Sequence, residues 1–305
     1  MVGSAILRCL INSGYKNILT RTHHELNLID QAKTKRFFHD ERPEFVFIAA
    51  AKVGGILANS KFKGQFIYEN LSIQNNIIHF SHEVGVKKLI FLGSSCIYPR
   101  NLQQPIREEA LLSGYLEPTN EPYAVAKIAG IKLCQSYYKQ YNDNFISLMP
   151  NNLYGPNDNF DLETSHVLPA LVKKFHEAKV NANDKVEIWG TGKPQREFLH
   201  VDDLATATVF LFENLCAKKL YKMGISHINI GSGDEISIRE LAFLIKEICE
   251  FNGRVIFNPD KPDGMPRKLL DTSFLNNLGW KANIELRDGI ESLYKWYKNN
   301  AHLQH

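Results

Sequence analysis

The chain has 305 residues, 44% hydrophobic and 23% charged, which excludes a disordered tail, a collagen or a disulfide-stapled miniprotein and suits one large α/β unit or two lobes. Its 36 Lys and Arg against 33 Asp and Glu leave a formal +3, too slight and too scattered for a nucleic-acid or membrane surface. The five cysteines, Cys9, Cys96, Cys134, Cys216 and Cys249, are odd in number and lack the paired spacing of a zinc site, so no metal is expected and a reduced cytoplasm fits. No apolar run approaches the roughly 20 residues of a membrane span, and the N-terminus lacks a signal-peptide pattern.

In chain order, Ser4 to Ser13 sets Ile6, Leu7, Leu10 and Ile11 at helical spacing, starting at Gly3 and closed by Gly14. Asn17 to Thr20 reads as a short strand and Thr34 to His39 as part of a helix. The apolar run Phe45 to Ala51 is a buried strand of the kind found in parallel sheets covered on both faces. A helix over Phe66 to Glu83, a strand over Lys88 to Gly93, a long helix over Glu121 to Tyr141 and a strand over Asn144 to Met149 follow. A helix over Val201 to Leu215 then leads to the strand Ile228 to Ile230. This alternation predicts a doubly wound, Rossmann-like parallel sheet with right-handed crossovers. Gly and Pro become frequent between Tyr154 and His200 and the pattern loosens again after Gly233, so a second, smaller lobe is expected. The expected division is 1–155 and 200–232 for the sheet domain, with 156–199 and 233–305 for the smaller lobe. Ligands of such sheets bind beyond the carboxyl ends of the strands.

Two features there carry chemistry. Tyr123 and Lys127 lie four apart on one helix face, where an ammonium lowers a phenol toward the range of a general acid/base. A second pair at the same spacing, Tyr294 and Lys298, sits in an aromatic terminal helix and reads as packing or a solvent face. The strand ending at Gly93 opens into Ser94, a hydroxyl donor placed to hold a polarised carbonyl.

Six blocks carry a resemblance: Ala49-Ala-Ala-Lys-Val-Gly-Gly55, Gly93-Ser-Ser-Cys-Ile-Tyr-Pro99, the segment Glu117 to Cys134, Asn152-Leu-Tyr-Gly-Pro156, Arg196-Glu-Phe-Leu-His-Val-Asp-Asp203 and Lys261-Pro-Asp-Gly264. In this order they closely resemble the GDP-L-fucose synthases, NADPH-dependent epimerase/reductases of the extended short-chain dehydrogenase superfamily. The resemblance implies GDP-4-dehydro-6-deoxy-D-mannose as substrate, epimerised at C3 and C5 and reduced at C4. It implies that Ser94 and Tyr123 hold the C4 oxygen, that Lys127 tunes Tyr123 and holds the nicotinamide ribose, and that Cys96 and His166 transfer protons. Without it, Cys96 is a small buried residue and His166 a helix start beside a capping serine. Lys174, Trp189, Arg196 and Asp263 take the nucleotide-sugar positions, against a solvated lysine face and core packing for the first two. Gly3, Arg21, His23, Leu92, Gly93, Ser94, Ser95, Lys127, Pro150, Asn151, Asn152, Leu153 and His166 take the cofactor positions. A homodimer pairing the Tyr123 helix is also implied. The alternatives are another nucleotide-sugar epimerase or reductase, and an inactive dinucleotide- or nucleotide-sugar-binding relative.

The first charged residue after Asn17 to Thr20 is Arg21, a cation suited to the extra phosphate of NADP; the family's second arginine is replaced by His23, an imidazole only partly charged at neutral pH. Met1-Val2-Gly3 resembles only the end of the family's glycine turn. The expectation is a first strand missing from the sheet, with a physiological start roughly 10 to 15 residues upstream.

Overall fold

The computed structural model describes residues 1–261 and 263–300. Pro262, inside the Lys261 to Gly264 block, and residues 301–305 of the expected second lobe lie outside the described residues. The elements run α1 (Val2–Asn12), α2 (Gln31–Glu41), β1 (Phe45–Ile48), α3 (Ile56–Lys61), α4 (Lys63–Glu83), β2 (Lys88–Leu92), α5 (Glu121–Tyr141), β3 (Phe145–Pro150), β4 (Asn152–Tyr154) and α6 (Val167–Val180). They continue with β5 (Lys185–Trp189), β6 (Gln195–His200), α7 (Val201–Asn214), α8 (Ala217–Lys222), β7 (Ile228–Ile230), β8 (Glu235–Ser237), α9 (Ile238–Ile248), β9 (Arg254–Asn258), β10 (Arg267–Lys268), α10 (Ser273–Asn277) and α11 (Leu286–Asn300).

The main sheet is parallel in the order β1-β2-β3-β7, with Ile48 beside Phe91, Leu92 beside Leu148 and Pro150 beside Ile230. Side chains alternate across it, so one strand feeds two cores. Ile90, Leu92, Ile146 and Leu148 pack with α1 and α7, whereas Leu89, Phe91, Phe145 and Met149 pack with α4 and α5. That two-sided cover is why β2 and β3 are continuous apolar runs. Gly130 lets α5 close on the sheet, since a Cβ there would stand 2.4 Å from the Phe91 ring. Among the described residues no helix is long and apolar enough to cross a membrane.

The expected strand at Asn17 to Thr20 does not form; that segment is coil. A strand needs a ladder partner, and among the described residues β1 is hydrogen-bonded only on its β2 side, with Phe45 43% exposed. Ile18 still packs against the α1/α7 core, so the segment keeps its apolar contact while lacking a sheet to join.

A third core gathers Tyr154, Phe160, α6, Val186 and Ile188 of β5, Phe198, α9 and α11. Between it and the main sheet lies a smaller sheet in which β6 pairs β4, β10 and β8. Glu197 of β6 is fully buried there. Its carboxylate accepts from the Asn151 side-chain amide, from Gly233 N at 2.8 Å and from Leu270 N at 3.2 Å. Gly231 is required beside it, because a Cβ would meet Glu197 Oε1 at 2.1 Å. Removing this acceptor strands two donors on buried residues, Asn151 and Leu270, and one at Gly233 whose bond is partly buried. Glu197→Ala is therefore expected to lower stability by about 3–5 kcal/mol, read as a lower urea midpoint at unchanged slope. An unchanged midpoint would show that the clamp contributes nothing.

Candidate active site

The site forms where β2 ends. Gly93 N donates to Leu148 O at 2.8 Å, and a Cβ at this glycine would stand 2.1 Å from the Met149 methyl, so the buried Met149 side chain would have to shift. Ser94, in extended conformation, caps a single 3-10 turn over Ser95–Ile97, its hydroxyl accepting from Cys96 N at 3.4 Å. Ser95 donates to Asn151 Oδ1 at 3.1 Å, and Asn151 passes its own amide to Glu197. The turn bearing Ser94 and Cys96 is thus tied through Asn151 to the smaller sheet.

Tyr123 and Lys127 stand one turn apart at the start of α5, as their spacing requires. Lys127 Nζ donates to Leu92 O at 2.8 Å and lies 4.8 Å from the Phe91 ring centroid and 5.8 Å from that of Tyr123. The expected lowering of the Tyr123 phenol is not what the chain's groups produce. Burial pushes it well up, Cys96 pushes it further, and the Ser94 hydroxyl offsets this only in part. Withdrawing water from a phenolate outweighs a lysine whose closest bond goes to a carbonyl. Lys127 is itself pushed down to about 8 by burial, with Cys96 opposing.

Cys96 is buried, which raises its thiol, while Lys268, Ser94 and Lys127 draw it back down. His166 is the N-cap residue of α6; it opens to solvent, yet surrounding protein and Lys268 lower its imidazole. Ser94, Cys96, Tyr123 and Lys127 therefore interact with one another, and His166 joins them through Lys268. Lys268 is a residue that sequence reasoning missed. It is a lysine at the head of Leu269 and Leu270, a pattern no different from a solvated strand end.

On the far side, Trp189 closes β5 and is 43% exposed, which rules out core packing. Lys174 Nζ donates to Glu187 O at 3.1 Å and lies 5.7 Å from the Trp189 ring centroid, with Lys261 at 5.5 Å. Arg196, on β6, donates to Gln195 O at 2.7 Å and interacts with Asp263. Asp263 fastens its loop to the turn after Trp189, accepting from Thr191 N at 2.7 Å and Thr191 Oγ1 at 2.8 Å.

The dinucleotide positions fall along the carboxyl ends of the sheet strands. Gly3 lies in the first turn of α1, where a Cβ would be 3.7 Å from Ala49, just past β1. Leu92 ends β2 and Gly93 to Ser95 follow it; Pro150 ends β3, Asn151 links it to β4, and Asn152 and Leu153 open β4. An uncapped helix start facing this edge suits a diphosphate, and the Lys127 ammonium suits a ribose, so the residues fit a dinucleotide. Arg21 and His23 lie apart, on the coil after Thr20. Arg21 is held by Glu41 at 2.6 Å and by the Phe37 ring at 5.2 Å, and it borders a hollow of about 350 Å³ that also presents Lys33 and Arg36. Of the lookalike pair, Tyr294 belongs to the third core, its OH 3.2 Å from His176 Nδ1, while Lys298 is exposed, its Nζ 4.8 Å from the Tyr294 ring centroid.

The model of the NAD dependent epimerase/dehydratase family matches residues 1–231. The chain belongs to this family. It is 56% identical over 301 residues to GDP-L-fucose synthase 1 of Arabidopsis thaliana, covering 99% of this chain and 91% of that protein. Among solved structures it is similar to MlghC, a GDP-mannoheptose C4 reductase from Campylobacter jejuni with NADP bound. There the identity is 44% and the TM-score 0.90, covering 97% of this chain and 95% of that one. It is also similar to a GDP-L-fucose synthetase from Naegleria fowleri bound to NADP, at 29% identity and TM-score 0.88, covering 99% and 92%. Family membership implies a nicotinamide dinucleotide cofactor, which the strand-end crevice fits.

The thiols give a direct check on the cleft. Cys216 is exposed, whereas burial pushes Cys134 and Cys249 up to about 12. Iodoacetamide at mildly alkaline pH should label Cys216 first, Cys96 slowly, and Cys134 and Cys249 only on unfolding, as located by peptide mass. Fast labelling of Cys134 in the folded protein would contradict the packing of α5 on β3.

Proposed function

We propose that the chain converts GDP-4-dehydro-6-deoxy-D-mannose to GDP-L-fucose by epimerisation at C3 and C5 and NADPH-dependent reduction at C4. One observation carries this reading. A ketone reductase needs the serine, tyrosine and lysine; here a thiol and an imidazole are added to the same cleft, and those groups suit C–H proton transfer. The C4 ketone acidifies the protons at both C3 and C5, so one site serves both centres.

Cys96, as thiolate, takes a proton from the carbon beside the ketone, and the C–H electron pair passes to O4. The enolate is held by Ser94 Oγ and the Tyr123 hydroxyl. His166 returns a proton to the opposite face. When bound, NADPH supplies the hydride for C4. Tyr123 then donates its phenolic proton to O4, and the burial that raises its pKa keeps that proton in place through the working range. Arg196 and Lys174 hold the diphosphate, Trp189 offers a flat contact, and Asp263 keeps its loop closed on them. Arg21 and His23 serve the extra phosphate of NADPH. The reading assigns the dinucleotide to 1–155 and 200–232 and the sugar nucleotide to 156–199 and 233–305, in a cytoplasmic homodimer. Val125 on α5 and Tyr68 on α4, 40% and 64% exposed, are apolar surface available to such a pairing.

The similarity to a GDP-heptose C4 reductase supports a second reading, a related GDP-sugar as substrate. Purified chain given NADPH and GDP-4-dehydro-6-deoxy-D-mannose should oxidise NADPH and yield GDP-L-fucose, with UDP-galactose inert; oxidation only with a heptose substrate would favour the second reading. Tyr123→Phe should lower turnover by about 10²–10⁴-fold. Cys96→Ser should cripple epimerisation more than reduction of a pre-epimerised ketosugar, and equal losses would overturn the base role. The pH dependence has a sign. Cys96 is held above its ordinary range, so the thiolate rises through the alkaline range. His166 is held below its own, so the imidazolium that returns the proton is present in acid and is lost as pH rises, opposite in sign to the thiolate, and epimerisation should pass through a maximum.

A further inference from the structure

The segment Lys52-Val-Gly-Gly55 has no role in the chemistry described above, yet its place is specific. It lies between β1 and α3 and is fastened by two buried asparagines. Lys52 N donates to Asn70 Oδ1 and Asn70 Nδ2 to Lys52 O, both at 3.0 Å, while Asn59 Nδ2 donates to Gly54 O at 2.6 Å and to Gly55 O at 3.1 Å. Against this segment lies the stretch that leads into α6. Gly55 N donates to Thr164 O at 2.7 Å, and a Cβ on Gly55 would stand 2.6 Å from Ser165 O. A Cβ on Gly54 would be 3.2 Å from the Phe66 ring, which meets the Tyr123 ring edge-on with 6.2 Å between centroids. The glycine pair thus joins Tyr123, through Phe66, to the residue before His166.

Resting on the function proposed above, we propose that Gly55, backed by Gly54, is a positioning residue for the epimerisation: its missing side chain lets the backbone of Thr164 and Ser165 seat against it, and that seat sets where the His166 imidazole stands. The backbone at Gly55 is ordinary, with φ −67° and ψ −177°, so the glycine is not there for conformational freedom. Its hydrogen bond to Thr164 O would survive in any residue but proline. What glycine supplies is room, because the atom that a Cβ would strike is a main-chain carbonyl and not the end of a flexible side chain. The stretch it would strike has little give of its own. Asp161 Oδ1 accepts from Glu163 N at 3.1 Å, Thr164 N at 2.9 Å and Thr164 Oγ1 at 2.7 Å, and Ser165 N donates to Asp161 O at 2.9 Å. His166 follows as the N-cap residue of α6, its carbonyl accepting from Ala170 N at 3.1 Å. A push at Ser165 is therefore carried on to His166. Proton return from the imidazolium breaks its N–H bond and forms a C–H bond with the electron pair of the enolate, a transfer that depends steeply on the distance between the two atoms.

The test adds one methyl group. Gly55→Ala should slow NADPH oxidation with GDP-4-dehydro-6-deoxy-D-mannose, which needs epimerisation, by about tenfold or more in kcat, and leave KM and the reduction of a pre-epimerised ketosugar nearly unchanged. Gly64→Ala, in the first turn of α4 with nothing within 4 Å of the added carbon, is the control and should change neither rate. The cost of Gly55→Ala should vanish from the residual rate of a His166→Gln background, because a residue that acts only through His166 then has nothing to position. A second readout does not need turnover. In protein carrying ¹³C-labelled histidine, the His166 ring signal, identified by its loss in His166→Gln, should be displaced by Gly55→Ala while that of the buried His227 stays in place. If Gly55→Ala does not fold, Asp161→Ala, at an exposed position, loosens the same stretch and should slow the same step with reduction spared. Equal losses in the two assays, a further loss on top of His166→Gln, or an unmoved His166 signal would overturn the proposal. A wild-type enzyme that ignores the 4-dehydro sugar, with the His166 signal still moved by Gly55→Ala, would overturn the substrate reading alone.

Discussion

The buried carboxylate of Glu197 is the contact on which the site's geometry depends. It sits on the strand that joins the two halves of the molecule and accepts from Asn151, Gly233 N and Leu270 N, donors that arrive from three separate stretches of chain. From Asn151 the chain of contacts runs to Ser95 and so to the turn bearing Ser94 and Cys96. From Leu270 it runs to the strand bearing Lys268 and its ladder partner Arg196. A carboxylate buried with its acceptors filled costs less than one left unmatched, and it fixes directions that apolar packing alone leaves free.

Water exclusion sets the chemistry of the cleft that this clamp builds. Desolvation is the leading influence on Tyr123, Cys96, Lys127, His166 and Lys268 alike. It moves the acids up and the bases down, so every group drifts toward its neutral form. Two lysines oppose that drift at Cys96. The outcome is a phenol that keeps its proton, an imidazole that is neutral until it receives one, and a thiol whose ionisation depends on nearby ammonium groups. These are the states in which proton removal from carbon and proton delivery to oxygen can follow one another in one place.

Much of this was legible in the sequence where the signal was local. The long helix over Glu121 to Tyr141 and the strand Ile228 to Ile230 are found with the expected bounds, because their apolar positions, Pro122 and flanking turns are all within a few residues. The blocks Gly93 to Pro99 and Glu117 to Cys134 carry Ser94, Cys96, Tyr123 and Lys127 for the same reason, whereas His166 lies outside the six blocks. Legibility ends where a property is made by distant chain. Asn17 to Thr20 has a strand's composition, but strand formation depends on a neighbour and none pairs with it. The Tyr123 phenol moves opposite to the lysine-spacing argument, because spacing shows an ammonium nearby and says nothing of lost water. Glu197 reads as one more acidic residue in Arg196-Glu-Phe-Leu-His, and Lys268 as one more surface lysine; only the ladder between β6 and β10 gives either its place.

The central claim is that one cleft removes and returns protons at two carbons before a hydride reaches the third. It is tested most directly by the position of deuterium in the product after turnover in D₂O with unlabelled NADPH. The account predicts deuterium at C3 and at C5 of the fucosyl unit and protium at C4. Protium at C3 and C5, or deuterium at C4, would contradict it.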